Sequence, residues 1–586
     1  MVRRALILVV LSISGARAAS PPRVLDVDRA ALPRAEKIAT PPVRTLLGYT
    51  RRLLRLPDGH TIGAFSYSNS AAANWLFLID GRDLSSKRFA MPNNDIGSHG
   101  AALGTDGNIY VMPYGSPRAY RFVVAREAFE PIDVPGLPPH EYTWDAIGAA
   151  DGCVYFGTYP HACLGRYEIA TGKTRLWPNV APNTTYVSHM EPDGAGVRFR
   201  AWGPDQVWMR LDATMDEPQR VEKPASAPVK REGVAEPTWV ERVGDAEITI
   251  GHFGSLKRRD LAIGKETTGR VDNLAPGGNS IMFLESVTPD CVIGANYSQQ
   301  HLFRIDPATA EVAVSEDMVA RVSGQPNCAV GAGGKGYVGI YVRAIITLFD
   351  PAKPFAFETN PREIGELHRA HGQTRPKAAV TDGRYVYMAT EGDYSRLGGA
   401  LAVIDTQTQR VEPYPQIVKD QNLTSLAYDP KHKLVWGGTN RWGQMRSAPP
   451  TQESAAIYAF DPESREVVTT LVPTKGADHA TVLGCTDDGT VVATVAGGNV
   501  VMIDGATRDI AHRGGWPVPP GPMRRGADGH LYFFAGEHLW RWTSGQNSIT
   551  PVAVTGGCTM LTEPSPGLWL LADATSVYRV RLADPR

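Results

Sequence analysis

Ala379-Val380-Thr381-Asp382-Gly383-Arg384-Tyr385-Val386-Tyr387 reads as a β-rich run, an Asp-Gly pair and a second β-rich run. Asp-Gly between two such runs marks a tight hairpin, because glycine takes the positive-φ position of the turn at no steric cost. The pattern recurs as Ala101-Ala102-Leu103-Gly104-Thr105-Asp106-Gly107-Asn108-Ile109-Tyr110 and as Ala149-Ala150-Asp151-Gly152-Cys153-Val154-Tyr155-Phe156. It returns in Gly526-Ala527-Asp528-Gly529-His530-Leu531-Tyr532. A second half repeats as well. Leu302-Phe303-Arg304-Ile305-Asp306-Pro307-Ala308-Thr309 matches Ile457-Tyr458-Ala459-Phe460-Asp461-Pro462, with variants at Leu401 to Thr406 and Val501 to Thr507. Each is an alternating strand that ends in an Asp-led turn.

Units begin near residues 51, 99, 144, 189, 238, 279, 327, 375, 422, 479, 523 and 558. Their spacing of about 40 to 50 residues is that of one four-stranded propeller blade. One propeller closes with about four to eight blades, so about twelve units predict an all-β chain of tandem β-propellers. Asn360-Pro361-Arg362-Glu363-Ile364-Gly365-Glu366-Leu367-His368-Arg369-Ala370-His371 interrupts the strand pattern and reads as a short helix or linker. It places the boundary between an N-terminal propeller, 19–365, and a C-terminal one, 366–586, as seven blades and then five, with six and six as the alternative. The last unit lacks room for a fourth strand, and the segment from Val43 to Tyr49 is expected to supply it and cover the sheet edge. The stretch from Ala213 to Val234, rich in Pro, Glu and Lys, reads as a solvated loop.

Composition sets the class. The 586 residues are 42% hydrophobic and 21% charged, with 59 Gly and 45 Pro, a globular mixture with many turns. Residues 1–18 read as a signal peptide: Arg3 and Arg4, an apolar run from Ala5 to Ile13, and the small-x-small signal Ala16-Arg17-Ala18. Removing them takes away three arginines and no acid, so the formal charge moves from -1 to -4. That charge, with no basic stripe, argues against nucleic acid as a partner, and no later segment has the length or apolarity of a membrane span. An exported, periplasmic or extracellular protein is expected. Export permits disulfides among the six cysteines. Cys153 and Cys163 flank a tight turn and are the candidate pair. No zinc-type spacing, GxSxG elbow, HExxH helix, P-loop or EF-hand loop is present.

In a propeller the first strand of each blade lines the axis, so residues at its start converge on one face. Those positions are His99, Trp144, His189, Asn279, Asn327, Arg375, Asn422, His479 and Arg524, with His140, Tyr142, Tyr186 and Lys377 between them. The N-terminal group is denser, adding Tyr159 and His161. Imidazoles, phenols and a cation around one concave site suit proton abstraction beside a carboxylate. His99, His140, Tyr142, Tyr186 and His189 are the candidate catalytic residues. Trp144, Tyr159, His161, Arg375, Lys377, Asn422 and Trp442 are the candidate substrate-binding residues. Trp202, Tyr394 and Trp442 read as loop aromatics of the kind that stack on sugar rings. Glu141 with Asp145, or Glu391 with Asp393, would be the acids of a glycoside hydrolase.

The Asp-Gly hairpins with their Asp-Pro-x-Thr turns resemble the broad superfamily of YVTN-like and streptogramin-lyase-like propellers. With export, length and the His/Tyr/Arg set, the chain also resembles secreted propeller polysaccharide lyases that act on ulvan or on rhamnose-glucuronate linkages. The resemblance implies β-elimination on a uronate-containing polysaccharide by a His- or Tyr-centred site, with Arg or a divalent ion (Ca, Mg or Zn) on the carboxylate. A non-catalytic module that binds a glycan or a partner protein is the alternative, and a hydrolase on the same fold is the third.

Overall fold

The computed structural model describes residues 20–42, 46–47, 53–67, 74–137, 141–223, 239–251, 254–271, 280–297, 301–315, 319, 325–356 and 358–583. The leader residues 1–18, His140 and Asn279 lie outside them. Among the described residues twelve sheets, antiparallel but for one outer strand, follow one another along the chain, and each is a blade. Blade 1 pairs the segments Leu46–Leu47 and Leu54–Arg55 with Thr61–Tyr67. The first strands of blades 2 to 6 are Ile96–Leu103, Tyr142–Gly148, Tyr186–Asp193, Trp239–Val243 and Ile281–Thr288. Those of blades 7 to 12 are Gln325–Ala332, Gln373–Thr381, Asn422–Asp429, Ala480–Cys485, Met523–Arg525 and Met560–Ser565. The tandem-blade reading of the sequence is therefore the observed architecture.

The Asp-Gly repeat has a local cause. The aspartate holds the hairpin from two sides: Asp382 accepts from the backbone N–H groups of Arg384 (2.8 Å) and Tyr385 (2.6 Å) and from the hydroxyl of Tyr387 (2.7 Å). The hydroxyls of Tyr110, Tyr155 and Tyr532 donate in the same way to Asp106, Asp151 and Asp528, and Tyr578 does so to Asp573 of an Asp-Ala turn in blade 12. Gly383 supplies the left-handed residue at φ 92°. Each turn is thereby tied by a charge-assisted hydrogen bond to the strand it launches.

Blade-to-blade packing shows how the rings close. Apolar clusters join blade 6 to 7, 7 to 8, 8 to 9, 9 to 10, 10 to 11 and 11 to 12. A further cluster brings Leu570, Ala572 and Val577 of blade 12 onto Ile281, Leu284, Val292 and Phe303 of blade 6. Separately, Ile62, Phe77 and Ile79 of blade 1 pack on Val243, Ala246 and Ile248 of blade 5. We infer two units, blades 1 to 5 and blades 6 to 12. The expected boundary at 365 does not match this packing, because it would cut the continuous core of Cys328, Val330, Ile346, Leu367, Val386, Met388 and Ala402. Arg362–Glu366 is the fourth strand of blade 7, and His368–His371 is one helical turn leading into blade 8.

Three other expectations are corrected. The strand that completes blade 12 is Glu36–Ala39, antiparallel to Val577–Arg581, whereas Leu46–Leu47 pairs within blade 1. Arg23–Val24 adds a parallel outer strand to blade 11. The strands Arg23–Val24 and Glu36–Ala39 thus lie on edges of the seven-bladed ring, and the five blades that follow them precede the rest of that ring in the chain. Within the expected solvated loop, Gln219–Val221 is the outer strand of blade 4 and Trp177 Nε1 donates to the Asp216 carbonyl at 3.0 Å. Cys153 sits opposite Glu168 at one end of its hairpin, while Cys163 lies beside Thr158 at the other, so the two thiols cannot meet. All six cysteines are buried and free, and burial pushes the thiols of Cys153 and Cys163 up to about 11.

Candidate functional site at the junction of the two propellers

The first strands carry a recurring irregularity. The register shifts between Thr143 and Asp145, Ser188 and Glu191, Pro326 and Cys328, Pro376 and Ala378, and Leu423 and Ser425. A β-bulge adds one residue, bends the strand and re-aims a side chain. The residues so displaced include Trp144, His189, Asn327 and Lys377, which the sequence had placed at the axis. His189 takes φ 53°, a conformation uncommon for a non-glycine residue. Ser188 Oγ lies 2.8 Å from its Nδ1, and the indole of Trp202 donates to that same hydroxyl at 2.8 Å.

Five of the candidate residues merge into one aromatic stack. His99, buried, stacks on Trp144 at 4.7 Å and tilts against Tyr114 at 4.9 Å. Trp144 touches Tyr159 at 5.2 Å and Tyr186 at 5.6 Å. Tyr142 stacks on Tyr159 (5.4 Å), Tyr159 on Tyr186 (4.8 Å) and Tyr186 on Trp202 (4.4 Å). The hydroxyls of Tyr114 and Tyr159 hydrogen-bond each other. Burial lifts the Tyr142 phenol above its ordinary value and those of Tyr159 and Tyr186 well above it. At neutral pH these phenols are proton donors, not bases.

The stack ends on the other propeller. Tyr394, just after the strand Tyr385–Gly392, sets its ring edge-on against Tyr159 and Tyr186, each at 5.6 Å. Its hydroxyl lies 3.2 Å from that of Tyr341. Arg375 lies 3.8 Å over the Tyr341 ring, and its Nη1 donates to Gln325 Oε1 at 3.1 Å. With its amide oxygen turned toward the guanidinium, Gln444 accepts from Arg375 Nε at 2.7 Å and Nη2 at 3.2 Å. Among the described residues Arg375 has no carboxylate within ion-pair distance. Thr185 Oγ1 and Ser395 Oγ, 2.7 Å apart, tie the two units beside the stack.

Other candidates are placed differently. Lys377 reaches Glu391 at 3.9 Å. Asn422 is fully buried and bridges two loops, accepting from Gly392 N (2.9 Å) and donating to the Trp442 carbonyl (3.0 Å). His161 Nδ1 meets Glu141 at 2.5 Å, and the same carboxylate accepts from Thr158. That contact raises the His161 pKa against the opposing pull of burial, and the Arg446 carbonyl of blade 9 adds to it. Asp145 accepts from Met190 N at 3.0 Å, and Asp393 from His368 at 2.8 Å. The carboxylates considered for hydrolysis therefore hold structural partners. Arg524 pairs with Glu285 between blades 11 and 6, across the seven-bladed ring.

Tyr114 and Tyr341 were missed in the sequence, yet a signal existed. Tyr67, Tyr114, Tyr159, Trp202 and Tyr341 each end the second strand of a blade, so an aromatic recurs at that position in blades 1 to 4 and 7. Among the described residues no group of three or more His, Cys, Asp or Glu could hold a metal ion, so the expected divalent cation has no matching donor set there. No described helix is long and apolar enough to cross a membrane.

No family model and no curated protein matches the chain. Among solved structures it is similar to Kuenenia stuttgartiensis hydrazine synthase (16% identity, 52% of this chain and 96% of that one, TM-score 0.39). It is also similar to an extracellular domain from B. thetaiotaomicron (14%, 92% and 70%, 0.37) and to YCF48 bound to D1 peptide (12%, 53% and 94%, 0.38).

Proposed function

We propose that the chain is exported and acts on a uronate-containing glycan at the junction of its two propellers, cleaving it by β-elimination. One observation carries this reading. Arg375 faces phenols and amides, no carboxylate among the described residues lies within ion-pair distance of it, and an anionic sugar would supply that counter-charge. In the reaction an imidazole, His99 or His189, removes the proton next to the sugar carboxylate. Arg375 balances the charge that develops on that carboxylate. A neutral phenol such as Tyr142 donates a proton to the departing glycosidic oxygen, leaving a carbon–carbon double bond. No step needs a metal ion.

Binding without catalysis is the second reading. The tight packing of the phenols on one another favours it, because a packed ring has little freedom to follow a reacting atom. Purified mature protein, incubated with a panel of uronate polysaccharides, is expected to raise the ultraviolet absorbance of unsaturated uronate on one of them. Arg375→Gln should abolish that rise. A flat trace with calorimetric binding that depends on Arg375 would leave the binding module standing. A protein that neither cleaves nor binds any acidic glycan would refute both readings.

A further inference from the structure

Gln444, which bonds Arg375, lines a cavity of about 390 Å³ whose walls also include Glu391, Asn440, Trp442, Arg446, Asp478 and His479. Its size falls within the range of about 300–1,000 Å³ typical of small-molecule sites. We propose that it is a subsite for one neutral pyranose ring, the sugar that adjoins the uronate. The inference rests on the reading above, since it takes the neighbouring residue of the same glycan.

The platform is Trp442, and its orientation is determined from several sides. Its indole N–H donates to Asp478 Oδ1 at 2.9 Å. The Arg446 guanidinium lies 4.5 Å from the ring centroid, and its Nη2 bonds the other oxygen of Asp478 at 3.0 Å. Arg441 Nε holds the first oxygen at 2.8 Å. The Trp442 backbone is fixed at both ends, its N–H to Asn440 Oδ1 (2.9 Å) and its carbonyl to Asn422 Nδ2 (3.0 Å). Met445 and Arg446, which follow it, both adopt left-handed backbone, at φ 52° and 60°. Consecutive non-glycine residues there cost conformational energy, and such strain clusters at ligand sites.

The chemistry of the walls selects the ligand. An aromatic face matches the C–H face of a sugar ring, and the surrounding carboxylate, imidazole and amide groups match its hydroxyls. The guanidinium in these walls, Arg446, is already paired with Asp478, so it does not call for a second anion in the cavity. Gln444 and Met445 also line it, and these same residues reach Arg375 and Tyr394, the latter through Met445 Sδ at 3.5 Å. The two binding elements therefore share a wall, as adjacent sugars of one chain require.

Size-fractionated glucuronate–rhamnose oligosaccharides, native and with their carboxyls reduced to alcohols, separate this inference from the reading it rests on. Calorimetry should show Trp442→Ala weakening both probes about tenfold, the loss of about 1.4 kcal/mol of ring contact. Trp442→Phe, which keeps a ring and both backbone anchors, should weaken both by a smaller factor. Arg375→Gln should weaken only the native probe. If both Trp442 variants bind like wild type while Arg375→Gln loses the native probe, the subsite is overturned and the uronate reading stands. If Trp442 matters and Arg375 does not, the subsite stands and the anionic anchor falls. Absence of binding of both probes to the wild type would overturn both.

Discussion

Replacing His161 by Ala removes the imidazole that holds Glu141. The Glu141 side chain is 0% exposed and has two other described partners, Thr158 and the Cys163 thiol, while the His161 side chain is 42% exposed. Breaking a fully buried ion pair from one side costs about 3–5 kcal/mol. Water reaching the half-exposed imidazole side reduces that here to about 2 kcal/mol, close to the value of one hydrogen bond to a charged group. Glu141 directly precedes Tyr142–Gly148, and His161 follows Cys153–Tyr159, so the loss falls on the first hairpin of blade 3. Amide hydrogen exchange in those strands should accelerate about 30-fold at pH 6, with 1.36 kcal/mol per factor of ten. The folded-state pKa of His161 is raised, chiefly by its hydrogen bond to Glu141. The ionic part of the stabilisation is therefore present in full below the unfolded value of about 6.5 and is lost as pH rises through the raised folded value. The difference between wild type and variant should shrink from pH 6 to pH 9. Adding Glu141→Gln should recover part of the loss, since no buried charge is then stranded. An acceleration below about threefold, or a difference that widens with rising pH, would refute the reasoning.

Two structural predictions complement those for Arg375 and Trp442. A Cβ on Gly148 would be driven into the carbonyl oxygen of Leu103 in the neighbouring blade, which backbone on both sides prevents from yielding. Gly148→Ala should cost about 1–3 kcal/mol or more, read as a lower urea midpoint, and an unchanged midpoint would show that the blades are not in that close contact. Deleting residues 20–39 removes the strands Arg23–Val24 and Glu36–Ala39 and uncovers the edge at Val577–Arg581. Static light scattering should then report self-association, because an open strand edge pairs with another chain; a monomer with unchanged melting would refute the closing role.

The number and spacing of blades were readable from the sequence because both depend on local chemistry. Asp-Gly turns such as those at Asp106, Asp151, Asp382 and Asp528 carry their own aspartate and tyrosine within a few residues, so the repeat declares itself without knowledge of any neighbour. Ring closure was not readable. Blade 12 packs on blade 6, and blade 1 on blade 5, through apolar faces that look alike in every repeat. The choice of partner depends on accumulated strand twist, which no single repeat encodes. Glu36–Ala39 is too short and polar to announce itself as a closing strand. The sequence by itself determined the blades and their order along the chain. Only the tertiary structure decided that Tyr394 meets Tyr159 and Tyr186 and that Gln444 meets Arg375, because those contacts join residues whose nearness follows from how the two rings close and dock.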